Sequence, residues 1–159
     1  MPDAVGLELL AQELREADAQ SVLDTLYFRD KGQLIVNPAS IRATLAHLRG
    51  KGFDALMSVH GVDYYPDEPR LGVHYELLDM GALDRLTVKL RVPLDDPVVP
   101  SVTPAWPTAN HQEREIYDMF GVIFDGHPDL RRILLPDDWQ GHALRKDFPL
   151  RGYEPYSLT

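Results

Sequence analysis

The chain has 159 residues, a net charge of −9, a pI near 5.0 and no cysteine. That length predicts one domain around one core. The acidic balance disfavours nucleic acid and anionic membrane surfaces, and the lack of cysteine excludes disulfides and thiolate-held zinc or iron–sulfur clusters within the chain.

The opening stretch "MPDAVGLELLAQELREAD" carries acids among its apolar positions, unlike the uncharged core of a signal peptide. No run approaches the ~18 apolar residues of a membrane helix, so a soluble chain without a membrane span is expected. Leu7, Leu10 and Leu14 recur at helical spacing with Ala11 beside them, which predicts an amphipathic helix over about 4–17. "SVLDTLYF" and "GQLIVN" flank Arg29-Asp30-Lys31-Gly32 and read as a hairpin, with Gly32 permitting the reversal. Asn37-Pro38 supplies a cap and a first-turn proline for a second helix, with Ile41, Leu45 and Leu48 on one face and Gly50 as its stop.

Three alternating stretches follow, around Phe53–Val59, Leu71–Leu77 and Leu86–Val92, each a strand with one buried face. The order α-β-β-α-β-β-β predicts an α+β fold in which two helices cover one face of a mixed, mostly antiparallel sheet. The other face is left wet or covered by a partner. Prolines 93, 97, 100, 104 and 107 then predict a rigid extended crossing, with Val98, Val99, Val102 and Trp106 available for burial. A third helix is expected over 109–120, ending at Gly121, followed by an aperiodic arm. The organisation expected is a two-layer domain over 1–107, with the helix and extended arm over 108–159 as part of the same structural unit.

The stretch "NHQEREIYDMFGVIFDGHPDLRRILLPDDW", residues 110–139, concentrates the ionisable groups. Asn110 and Glu113 have the spacing of a capping box, and Glu113 and Glu115 fall where carboxylates complement the helix dipole. Arg114 and Asp118 stand i, i+4 and can pair; Arg131 and Arg132 can clamp the acidic helix. An acid/base enzyme built on Glu113, Glu115 or Asp118 with His127 would need a cleft and a carboxylate raised toward neutrality, and neighbouring arginines would lower it. A metal site at His111 and Glu113 matches no known ligand spacing. Arg145 and Lys146 are too few for a nucleic-acid patch and suit a solvated turn or partner contacts. "GVDYYPDEPRLG" reads as a strand-to-strand loop or a partner contact. No phosphate loop and no nucleophile elbow occur, so no catalytic, cofactor or metal residue is assigned to this chain.

The run Glu113-Arg114-Glu115-Ile116-Tyr117-Asp118-Met119-Phe120-Gly121, then Gly126-His127-Pro128-Asp129-Leu130-Arg131-Arg132-Ile133-Leu134, closely resembles the signature of the C subunit, also called the 30-kDa subunit, of NADH:quinone oxidoreductase, respiratory complex I. "LLPDDWQGHALRKDFPLRGYE" continues the likeness through Glu154, "VPSVTPAWPTAN" precedes it, and weaker similarity reaches back to about residue 53. The chain departs from the family pattern at His111 (usually Trp), Ala143 (usually Pro) and Phe148 (often Tyr). Members often continue past the Gly-Tyr pair, which leaves the reach of the arm open. The resemblance implies a non-catalytic, cofactor-free assembly subunit of the peripheral arm, bound chiefly to the D subunit and near the B and I subunits, on the cytoplasmic side of the inner membrane. The whole complex passes electrons from NADH through FMN and iron–sulfur clusters to quinone and pumps protons. On this reading Glu113, Arg114, Glu115, Asp118, His127, Asp129, Arg131, Arg132, Arg145 and Lys146 form the partner interface and structural lock. The alternatives are an equivalent subunit of a plastoquinone-reducing, F420-dehydrogenase or membrane-bound hydrogenase complex, and a stand-alone carboxylate or metal enzyme.

Overall fold

The computed structural model describes residues 3–152. The first helix, α1, spans Ala4–Ala17, and the Asp3 carboxylate accepts from Gly6 N at 2.8 Å as its cap. Its face of Leu7, Leu10, Ala11 and Leu14 is buried. Each such leucine contributes about 1.5–3 kcal/mol by burial and the cap about 1 kcal/mol, so packing sets the position of the helix and the cap trims its start.

The strands β1 (Val22–Phe28) and β2 (Lys31–Val36) form the expected hairpin. The reversal, however, is carried by Arg29 and Asp30, both left-handed at φ 51° and 58°, as a two-residue turn requires. Gly32 lies inside β2, where a Cβ would press on Leu7 at 3.1 Å; its role is close packing. Asn37 caps a 3₁₀ turn over Pro38–Ser40 that leads into α2 (Ile41–Gly50). Gly50 stays within that helix, and the break falls on Gly52, at φ 106°.

Then come β3 (Ala55–Asp63), β4 (Leu71–Asp79) and β5 (Asp84–Val92). The sheet order is β1-β2-β5-β4-β3, antiparallel except for the central β2–β5 pair, which is parallel. Alternation along the strands puts Leu34, Val36, Val73, Tyr75, Leu77, Val88 and Leu90 on the helix-covered face, all buried.

A second, small sheet was not legible from the sequence: β6 (Val98–Pro100) pairs in parallel with β7 (Ile123–Asp125), with α3 (Ala109–Phe120) as the crossover between them. The strand is short enough for its prolines to lie at or beyond its ends, where no ladder N–H is required. Val99 and Phe124 fill its inner face, whereas Val98, available for burial on the sequence reading, and Ile123 point outward at 39% and 44% exposure. Arg42 of α2 ties the small sheet down, its Nε donating to Ser101 O at 2.7 Å and its Nη2 to Asp125 O at 2.8 Å. Beyond β7 the described chain proceeds through turns to Gly152 and lies on α3 and the β3–β4 loop; the predicted arm residues 153–159 lie outside the described residues.

Candidate functional site

The helix α3 begins after Thr108 and ends at Gly121, which is left-handed at φ 80°, as expected. Its start differs from the sequence reading, because no side chain caps it and Glu113 does not reach back to Asn110. Glu113 is instead fully buried. One carboxylate oxygen accepts from Ser101 Oγ at 2.6 Å and the other from Val102 N at 2.8 Å, while Ser101 Oγ also shares a contact of 2.8 Å with Thr103 Oγ1. The acid therefore clips the proline-rich crossing to the helix. A dipole role near the helix start is likewise superseded, since no acid occupies the first turn.

His127 completes this corner from the far side. Its Nδ1 accepts from Asp129 N at 3.0 Å, which leaves the proton on Nε2, facing Asn110 O at 3.2 Å and Glu113 Oε2 at 3.9 Å. Burial pushes the Glu113 carboxyl above its ordinary value, even though Ser101, Val102 and Arg42 act to lower it. The expectation that nearby arginines would depress it fails because desolvation outweighs them. Tyr75, wholly buried with its hydroxyl unpartnered among the described residues, is pushed well above the usual phenol range, first by burial and then by the charge of Glu113.

A raised folded-state pKa means that the proton is held more tightly in the native chain. The resulting stability is present below the unfolded glutamate value of about 4.3 and is lost as pH rises through the folded value. Glu113→Gln keeps an acceptor for Val102 N and removes this titration. Urea unfolding across pH 4–8 should show the variant gaining on the parent chain as pH rises; a pH-independent difference would contradict it.

One turn and a half further along, Asp118 is also fully buried and forms the second node. It pairs with Arg132, Nη1 to Oδ1 at 2.6 Å, and not with Arg114. Its Oδ2 accepts from the backbone N–H groups of Ile133, Leu134 and Leu135 at 3.1, 2.8 and 2.9 Å. Burial acts to raise this carboxyl, but those donors and Arg132 outweigh it and hold it below the ordinary range. The i, i+4 partner is displaced because Arg114 instead donates to the carbonyls of Arg131 and Arg132, at 3.2 and 3.1 Å. Arg145 donates to Phe120 O at 2.7 Å, and His142 Nδ1 lies 3.0 Å from Asp118 O. The end of α3 thus holds the arm through carbonyls and one buried carboxylate.

The third node was missed. Arg70, 4% exposed, donates twice to Asp63, at 2.9 and 2.8 Å, and twice to Asp147, at 2.9 and 2.6 Å. Asp63 also accepts from Lys146 N at 2.7 Å and Tyr65 N at 3.0 Å. Arg70 above all holds the Asp63 carboxyl far below its usual range. The loop read as a strand connection or a partner contact therefore grips the chain's own arm. Opposite charges bracketing a Tyr-Pro loop were the available signal, and Asp147 lies too distant in sequence to have been paired with them.

Of the ten residues assigned to interface and lock, Glu113, Arg114, Asp118, His127, Arg132 and Arg145 are brought together around α3. Glu115 is exposed on the opposite side of the helix, Asp129 and Arg131 form a surface pair at 3.0 Å, and Lys146 joins the Arg70 node, its backbone N–H donating to Asp63 and its ammonium to Tyr65 O at 3.3 Å. Arg131 therefore does not clamp the helix. His111 is exposed while Glu113 faces inward, so the two cannot share an ion. A cleft of about 110 Å³ adjoins Ser101 and Val102, well below the ~300–1,000 Å³ of substrate pockets. Chemically, the arrangement binds segments of one chain together.

Residues 34–154 match the family model described as the 30-kDa subunit of respiratory-chain NADH dehydrogenase. The C subunit of the NADH-quinone oxidoreductase of Saccharopolyspora erythraea is 46% identical over 157 residues; the alignment covers 94% of this chain and 61% of that relative. This chain thus spans less than two thirds of that protein. Among solved structures, a trypsin-resistant fragment of Nqo5 superposes with a TM-score of 0.66 at 37% identity, covering 78% of this chain and 98% of the fragment. A chain of the membrane-bound sulfane sulfur reductase, an archaeal respiratory membrane complex, gives a TM-score of 0.75 at 26% identity, covering 90% and 85%.

Proposed function

We propose, since the chain belongs to the 30-kDa subunit family of the respiratory-chain NADH dehydrogenase, that it is a non-catalytic assembly subunit of a proton-translocating NADH:quinone oxidoreductase. It sits in the peripheral arm, chiefly on the D subunit and near the B and I subunits, on the cytoplasmic side of the inner membrane. It holds no cofactor itself; FMN, the iron–sulfur clusters and the NADH and quinone sites belong to other chains.

The observation that carries this reading is the division of labour along the arm. Asp118, Arg132 and Arg145 fasten its backbone to α3, while Leu134, Leu144 and Leu150 stand 61%, 53% and 103% exposed. An anchored segment that turns its leucines to solvent has the form of a partner surface. The acids that suggested catalysis, Glu113 and Asp118, each accept hydrogen bonds at both carboxylate oxygens from their own chain.

Affinity purification of the tagged full chain from its host should bring down the other peripheral-arm subunits, and Leu134→Glu with Leu144→Glu should reduce that recovery at least tenfold. Full assembly with selectively lost turnover would overturn the non-catalytic role, and stoichiometric zinc, iron or manganese in the purified chain would favour an enzyme. The likeness to the sulfane sulfur reductase chain supports a second reading, the equivalent subunit of a related membrane complex. Co-purification of NADH- and FMN-binding subunits decides between the two.

A further inference from the structure

Among the described residues, α1, α2 and α3 lie on one side of the five-stranded sheet, through Leu7, Leu45 and Ile116 among others. The opposite face holds an open trough of about 440 Å³ whose lining residues all belong to β2, β3, β4 and β5. Although the chain carries a net charge of −9, this face is basic. Lys31, Arg85 and Lys89 line it, and its lining carboxylate, Glu76, already accepts from Thr87 Oγ1 at 2.9 Å. Arg91 follows Lys89 on the same side of β5, stacked at 4.1 Å on Tyr64. Among the described residues, Gln33 Oε1 and Arg91 Nη2 on this face are buried without a hydrogen-bond partner.

We propose that this face is a docking surface for an extended acidic polypeptide segment of a partner protein. It rests on the subunit reading only for the source of that segment. The strand register arranges the charges in two rows. Lys31 flanks Arg85, because Gly32 pairs with Leu86; Lys89 stands beside His74. Burial, then the charges of Lys89 and His60, push His74 down to about 4, and its Nε2 meets Tyr64 OH at 2.8 Å, so Lys89 carries the charge of the second row. Arg85 and Lys89 are four residues apart in one strand, about 13 Å. A single small anion cannot bridge that distance, whereas carboxylates four residues apart in an extended segment match it.

Between the rows lie Gln33, Thr87, Glu76 and Ser58, a polar floor unsuited to an apolar helix. A second copy of the chain would bring the same cations against these. Met57 on one side and Leu26 and Phe28 of β1 on the other, 55%, 49% and 57% exposed, supply apolar contact at the margins.

The test is an NMR titration of the isotope-labelled full chain with a synthetic Ser/Thr/Gln peptide bearing aspartate at every fourth position. Amides within 31–35, 74–76 and 85–91 should shift, and Arg85→Gln with Lys89→Gln should weaken binding at least tenfold. Lys89→Arg, which keeps the charge at a half-buried position, should retain binding and serves as the control for folding. The proposal is overturned if those amides do not respond, if an asparagine-for-aspartate copy binds equally, or if citrate or phosphatidylserine vesicles reproduce the effect with the same dependence on Arg85 and Lys89. Absence of peptide binding to the parent chain, with intact co-purification of subunits, would overturn this face and leave the subunit reading standing.

Discussion

Asp118→Ala is expected to release the arm while leaving the sheet folded. The substitution strips Arg132 of its buried partner and leaves the N–H groups of Ile133, Leu134 and Leu135 without an acceptor. If the arm stayed docked, breaking such a pair would cost about 3–5 kcal/mol, with further cost for each buried amide. An arm built of turns has a cheaper option: it can lift away and give those groups to water. The loss is therefore capped at the free energy that docks the arm. Trypsin should cut at Arg131, Arg132, Arg145 and Lys146 at least tenfold faster than in the parent chain, while hydrogen-exchange protection of β4 and β5 stays unchanged. Uniform loss of protection would show that the arm and the core form one cooperative unit; unchanged cleavage would show that Asp118 is dispensable. Asp118→Asn, which keeps an acceptor but loses the charge, should fall between.

Arg70→Met should produce the largest fall in global stability, about 3–5 kcal/mol by urea unfolding. Asp63 is 2% exposed at its side chain, so its charge would be left buried with only the N–H groups of Lys146 and Tyr65. Removing both charges with Asp63→Asn should recover part of the loss, since the penalty comes from the orphaned carboxylate more than from the missing attraction. Asp147, 50% exposed, is a lesser partner, and Asp147→Ala should cost no more than about 1 kcal/mol. Because the native state depresses the Asp63 pKa, the pair stabilises the chain above the unfolded value of about 3.9 and its contribution disappears as pH falls through the lower folded value. Arg70→Met should flatten that acid limb. A loss below about 1 kcal/mol, or an unchanged limb, would refute the assignment.

How far the sequence could be read depended on how local each determinant was. The leucine spacing of α1, the alternation of β5 and the stop at Gly121 act within a few residues, and all fell where expected. The parallel pairing of β2 with β5 joins residues more than fifty positions apart and leaves no periodic trace. The same reason accounts for the site. Short-range rules assigned Glu113 to Asn110 and Asp118 to Arg114, three and four residues away. Burial instead directed the two acids to Ser101, twelve residues back, and Arg132, fourteen ahead. Solvent-exposed helix pairs are worth only about 0.3–0.5 kcal/mol, so a tertiary partner in a dry setting readily displaces them. The family signature named the family correctly because it is read as a pattern along the chain and does not depend on knowing those long-range partners.

The position of β5 also bears on how the chain is made. It is the last strand of the large sheet to be synthesised, yet it occupies the middle. Until it emerges, the nascent polypeptide can hold only two separate hairpins, β1–β2 and β3–β4, and the inner rims of both await the same missing piece. At about 5–20 residues per second, roughly 3 to 11 s separate the emergence of Val36 from that of Val92. During that interval two unpaired rims from one ribosome, or from neighbours on one message, are free to find each other. The hazard is greatest before the chain has any partner to join, and a strand inserted late at the centre ends it in a single step.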